Sequence, residues 1–138
     1  MTTLKFDKIK AYFLGIFKPN SPKKGPNKFE VAKRNRLIQK MRSNAIAIVT
    51  NQIGIHSGSM KMNNFIDIIS EIETLENINL EVFEDFYSAF AAYPIEKEKQ
   101  YYNKEFLAQL DSKLKLIDDE YKPQIIEKCK EIIEKFEA

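Results

Sequence analysis

Cysteine, histidine and tryptophan are almost missing from this chain. Its 138 residues hold one cysteine, one histidine and no tryptophan. A lone thiol, Cys129, closes no internal disulfide and builds no cysteine-based metal site, so a reducing cytoplasm is the expected compartment. One histidine excludes the paired Glu-x-x-His motifs of helical di-metal centres. The four glycines, at 15, 25, 54 and 58, are scattered and form neither a Walker loop nor a dinucleotide fingerprint. No run approaches the roughly 18–20 apolar residues of a membrane span. The short apolar stretch from Ala11 to Phe17 ends at Lys18-Pro19-Asn20 without a small-x-small cleavage pattern, so no signal peptide is expected. No internal repeat is visible.

What is present is an ordinary globular balance, 43% hydrophobic and 30% charged, in a length that fits one domain with its own core. Within it the charge reverses. Residues 1–42 carry twelve Lys or Arg against Asp7 and Glu30, a local net of +10. Residues 43–138 carry ten basic and eighteen acidic side chains, a local net of −8. The whole-chain +2 hides this asymmetry, which bears on the kind of partner more than on the fold.

Apolar periodicity points to an all-α protein, an antiparallel bundle of five or six helices. Residues 1–18 read as an amphipathic helix or arm, with Leu4, Ile9, Phe13, Ile16 and Phe17 on one side. Residues 19–28, rich in Pro and Lys, read as a linker. The bundle proper is expected over 29–138. Its first helix runs from about Phe29 to Asn51 on Leu37, Ile38, Met41, Ala45, Ile48 and Val49, although β-branched residues near its end also suit a short strand. Gly54 and Ser57-Gly58-Ser59 read as the turn that ends it, with Ser57 or Ser59 capping the next helix. That helix places Met62, Phe65, Ile66, Ile69 and Ile72 together. Asn79 reads as the cap of a helix built on Val82, Phe83, Phe86 and Phe90, closed by Pro94. From Asn103 onward, steps of three and four from Phe106 to Phe136 keep their phase across Pro123. They predict one long helix kinked there, or two nearly coaxial ones.

Candidate chemistry is thin. His56 beside Ser57 and Ser59 could be drawn as a base with a nucleophile, but no nucleophile-elbow pattern or orienting carboxylate stands beside it. It reads as a turn residue. Asp118, Asp119 and Glu120 lack calcium-loop spacing and read as a solvated acidic turn or an interaction patch. No cofactor or metal is expected, and Tyr101-Tyr102 reads as packing rather than a stacking platform. Two surfaces remain. Lys33, Arg34, Arg36 and Lys40, with Lys23, Lys24, Lys28 and Arg42, form a basic stretch that can contact phosphates or face the acidic half of the same chain. Its cations lie toward a helix start, where the dipole disfavours them, which implies something negative nearby. Glu81, Glu84 and Asp85, with Glu71, Glu73 and Glu76 close in sequence, form an acidic surface suited to a basic partner.

From about Arg36 to Phe136 the order of features resembles a group of small bacterial helical proteins of unknown function. The shared look is Gln52-Ile53-Gly54-Ile55, then Ser57-Gly58-Ser59, then Val82-Phe83-Glu84-Asp85-Phe86 and Tyr93-Pro94. Asn103-Lys104-Glu105, Leu110-Asp111 and a helix carrying Tyr121, Ile125, Cys129, Ile132 and Ile133 complete it. Some proteins of this look resemble the immunity proteins of bacterial toxin systems. The resemblance implies a small cytoplasmic protein that binds one toxin. It carries no functional residue with it, and the basic N-terminal arm departs from the acidic immunity protein expected for a nuclease toxin.

The expectation is therefore a non-enzymatic protein-binding module, immunity- or antitoxin-like, using Glu81, Glu84, Asp85, Asp118, Asp119 and Glu120. The alternative is a nucleic-acid-binding accessory protein using Lys33, Arg34, Arg36 and Lys40. The arm is expected to dock onto the bundle core, because its polar side is thin; contact with an anionic membrane surface, or exchange of arm and linker between chains in a homo-oligomer, are the alternatives.

Overall fold

A computed structural model of the protein describes residues 25–137, apart from the side chains of residues 96 and 97. The arm expected over 1–18 and most of the linker, with Lys23 and Lys24, lie outside the described residues. Among the described residues there are four α-helices and no strand: α1 (Lys28–Val49), α2 (Ile55–Ile72), α3 (Glu81–Phe90) and α4 (Lys104–Lys135). A 3-10 segment, Glu96–Tyr101, leads into α4.

Helix α1 starts one residue earlier than expected because Asn27 caps it. Its side chain accepts from Glu30 N at 2.9 Å, and Glu30 Oε1 accepts from Asn27 N at 3.1 Å, a reciprocal capping box. The β-branched end stays helical because Ala45 and Ile48 are buried with Ile38 and Met41, and tertiary packing outweighs local strand preference.

The helix ends within two residues of the expected Asn51, but Gly54 does not make the turn. Asn51 adopts a left-handed conformation (φ 61) and ends the helix. Asn51 N donates to Ile48 O and Gln52 N to Ala47 O, so the last carbonyls are satisfied by a Schellman arrangement with asparagine in the usual glycine place. Gly54 is instead the N-cap of α2, and Ser57, Gly58 and Ser59 are helical. Neither serine is the cap. Gly58 serves packing: a Cβ there would lie 2.5 Å from Ile48 Cγ1 and 2.8 Å from its Cδ1. The missing side chain lets α1 and α2 approach closely.

Helix α3 begins at Glu81, and Leu80 holds the cap position. Asn79 still supplies a capping oxygen, accepting from Glu81 N at 3.0 Å. Ten residues are too few for an isolated helix in water. The buried Phe83, Phe86 and Phe90 hold it down, each contributing roughly 1.5–3 kcal/mol of apolar burial. Helix α4 is capped by Asn103, whose side chain accepts from Phe106 N at 2.8 Å, and it runs unbroken through Pro123. The proline deletes one backbone donor. One residue on, Gln124 Nε2 donates to Glu120 O at 3.0 Å. The two-helix alternative for this region is therefore not what forms.

Neighbouring helices in sequence pack together and α4 closes the ring on α1. Their sense follows from cross-links. Arg34 early in α1 meets Glu73 at the end of α2, while Asn44 late in α1 donates to Gly58 O near the start of α2. Gln39 and Arg42 of α1 donate to Phe136 O and Ile133 O at the end of α4. Both neighbours of α1 are thus antiparallel to it. The core inside the ring is Met41 and Ala45, Met62 and Ile69, the three phenylalanines of α3, and Ile125, Cys129 and Ile132. Burial pushes the Cys129 thiol up to about 12, because a thiolate there would lose its water.

Candidate interaction surfaces

The acidic residues of α3 sit where its sequence period leaves them. With Phe83, Phe86 and Phe90 inward, Glu81, Glu84 and Asp85 face out and are exposed. Glu81 and Glu84 lie in the first turn, where unpaired backbone N–H groups favour negative charge. Among the described residues none of the three side chains takes part in an ion pair or hydrogen bond. Glu71 and Glu73 at the end of α2 and Glu76 in the connector are exposed as well, so this end of the bundle is rich in exposed carboxylates.

The second acidic patch does not survive as a unit. Asp118 turns inward and its Oδ1 lies 2.7 Å from His56 Nε2, with side chains only 26% and 17% exposed. Asp119 is held by Lys115 at 2.9 Å one turn away. Only Glu120 of this trio is exposed with a carboxylate free of an ion pair among the described residues. The surface expected from six residues contracts to Glu81, Glu84 and Asp85, with Glu120 apart on α4.

His56 is therefore not a turn residue. It stands in the first turn of α2, stacked on Phe86 (centroids 5.5 Å) and edge-on to Phe90 (4.8 Å), while Phe86 meets Tyr121 at 5.4 Å. The pair ties α2 to α4 across the ring. Its carboxylate lies 62 residues away, beyond any reading of local sequence. One signal did exist. Asp118 falls four residues after Leu114 and three before Tyr121, inside the apolar stripe of α4, a place for an inward side chain. One turn along α2, Ser59 Oγ is buried with no hydrogen-bond partner among the described residues. Among the described residues no group of three or more His, Cys, Asp or Glu is placed to hold a metal ion.

The basic stretch divides in two. Arg34 Nε donates to Glu73 O at 2.8 Å and its terminal nitrogen to Thr74 O at 3.2 Å, and Arg42 Nε donates to Ile133 O at 2.9 Å. These two arginines satisfy the orphan carbonyls at the C-terminal ends of α2 and α4, the negative poles of those helices. Those carbonyl ends supply the negative neighbour that the cations of α1 require. Arg34 is thus committed to the fold. Lys33, Arg36 and Lys40 remain exposed and, at steps of three and four, share one face of α1.

Among the described residues no helix is long and apolar enough to cross a membrane. The chain matches no protein-family model, no curated protein and no solved structure.

Proposed function

We propose that the chain is a non-enzymatic protein-binding module that engages a basic surface of a protein partner through Glu81, Glu84 and Asp85. The single observation that supports this reading most is that these carboxylates are exposed and, among the described residues, unpaired, on a short helix anchored by three buried phenylalanines. A rigid, uncompensated acidic face accelerates encounter with a basic partner and rejects acidic ones. An immunity- or antitoxin-like role in a bacterial cytoplasm is the specific version, in which the partner is a toxin.

Binding kinetics test it. With E81K/E84K/D85K the association rate should fall at least about tenfold at low salt, and the difference from wild type should shrink as salt rises. Equal association rates for the two proteins would remove the α3 face from the reading.

A second reading has one observation in its favour: Lys33, Arg36 and Lys40 lie exposed on one face of α1 with no ion-pair partner among the described residues. A nucleic-acid-binding accessory protein would use them on phosphates. Its affinity would then fall steeply with salt and vanish when the three are neutralised. A salt-independent affinity removes it.

A further inference from the structure

We propose that the groove between α1 and α2 is a docking site for a short acidic peptide segment carrying an apolar side chain. It is a surface distinct from the α3 face and does not depend on it. Lys40 of α1 and Lys61 of α2 line the groove from its two helices, and both are exposed. Ser43 and Gln52 add hydrogen-bonding groups, and Ile53 and Phe65, half-buried against the core, give it an apolar base. No acidic residue lines it.

Charge selects the occupant. Helix α1 holds no acidic residue after Glu30, and Glu30 is consumed by the capping box, so nothing on α1 neutralises Lys40. Neither Lys40 nor Lys61 belongs to an ion pair among the described residues. Two cations, one from each helix, lining the same groove as Ile53 and Phe65 match carboxylates near a leucine or aromatic side chain, the pattern of an amphipathic segment laid in a helix–helix groove. Nucleic acid fits less well. The body over 25–137 carries nineteen acidic against sixteen basic side chains, and a long polyanion meets that net negative charge along its length. A short peptide meets only the groove. Nor does a nucleic-acid backbone use the apolar strip of Ile53 and Phe65.

The test is fluorescence anisotropy on the full chain with three probes: a short labelled peptide in which glutamates flank a central leucine, the same peptide with glutamine for glutamate, and a single-stranded oligonucleotide. The acidic peptide should bind most tightly. Its affinity should fall about tenfold in K40A/K61Q, two exposed sites whose replacement leaves the fold intact, and should be retained in K33A/R36A outside the groove. Amide shifts in a titration should fall on Ser43, Ala47, Gln52 and Ile53. Absence of peptide binding, equal affinity in K40A/K61Q, or tighter binding of the oligonucleotide overturns the proposal. All these outcomes are independent of Glu81, Glu84 and Asp85, so the α3 reading stands or falls separately.

Discussion

Helices α1 and α4 are the two longest of the bundle and lie side by side, yet they handle charge in opposite ways. Helix α4 mixes signs and makes three pairs of its own: Lys115 pairs with Asp119, Lys128 with Glu131 and Lys130 with Glu127, all within a turn, while Asp111 and Asp118 pair with Lys99 and His56 outside it. Helix α1 carries six cations and one acid, and that acid is spent on its cap. Its cations have no partner on their own helix. Arg34 and Arg42 reach to the carbonyl ends of α2 and α4, and Lys33, Arg36 and Lys40 have no ion-pair partner among the described residues. A helix of balanced charge is largely complete by itself. A helix of one sign must find its complement elsewhere, in the fold or in a partner. The α3 face is the acidic counterpart, three carboxylates with nothing on the described chain to meet them.

The contrast can be broken first at the α1–α2 contact. Gly58→Leu drives a side chain into Ile48, so unfolding in urea should show a loss of about 3 kcal/mol, partly restored by Ile48→Ala. An unchanged midpoint would mean that α1 is not held against α2 there. Next, His56→Ala strips the partner from a half-buried carboxylate and should cost about 2 kcal/mol in thermal unfolding, with partner binding retained. A double-mutant cycle with Asp118→Ala should show coupling, and strict additivity would deny the pair.

The arginines sharpen the comparison directly. Arg42→Ala should cost about 1.5 kcal/mol, and Lys should not substitute, because lysine carries a methylene where Arg42 Nε donates to Ile133 O. By contrast Lys115→Ala, which breaks a local pair within α4, should cost only about 0.3 kcal/mol and less in salt. Similar losses for these two would erase the distinction between the helices. Cys129 adds a condition rather than a rank. Its pKa is raised from 9.0 to about 12, so its stabilising share is whole below pH 9 and is lost as pH rises toward 12. Wild type should lose stability across that window more steeply than Cys129→Ala.

Much of this fold was legible from periodicity. Ile38, Met41, Ala45 and Ile48 were placed inside α1, and Phe83, Phe86 and Phe90 inside α3, because burial imposes a helical repeat that no other arrangement shares. Asn103 was legible as a cap for the same local reason. Gly58 was misread as a turn residue because glycine serves both turns and close helix contacts, and only the position of Ile48 tells them apart. The helix end near Asn51 was legible, but its cause was not: Gly54 was given the turn that Asn51 makes in the left-handed conformation, which asparagine adopts less often than glycine. The acidic face on α3 was legible as charge on a helical surface. The inward place of Asp118 was legible in the stripe of α4, but its pairing with His56 was not, because that partner comes from another helix. Nor was the commitment of Arg34 and Arg42 to helix ends, which depends on which termini the bundle brings beside α1.

The most direct measurement is affinity capture from the native host with the full chain, with and without nuclease, in parallel with E81K/E84K/D85K. The expected result is one stoichiometric protein of basic surface that survives nuclease and is lost with the charge-reversed chain. Capture of the same protein by both chains, or loss of every partner on nuclease treatment, would contradict a protein-binding role for the α3 face.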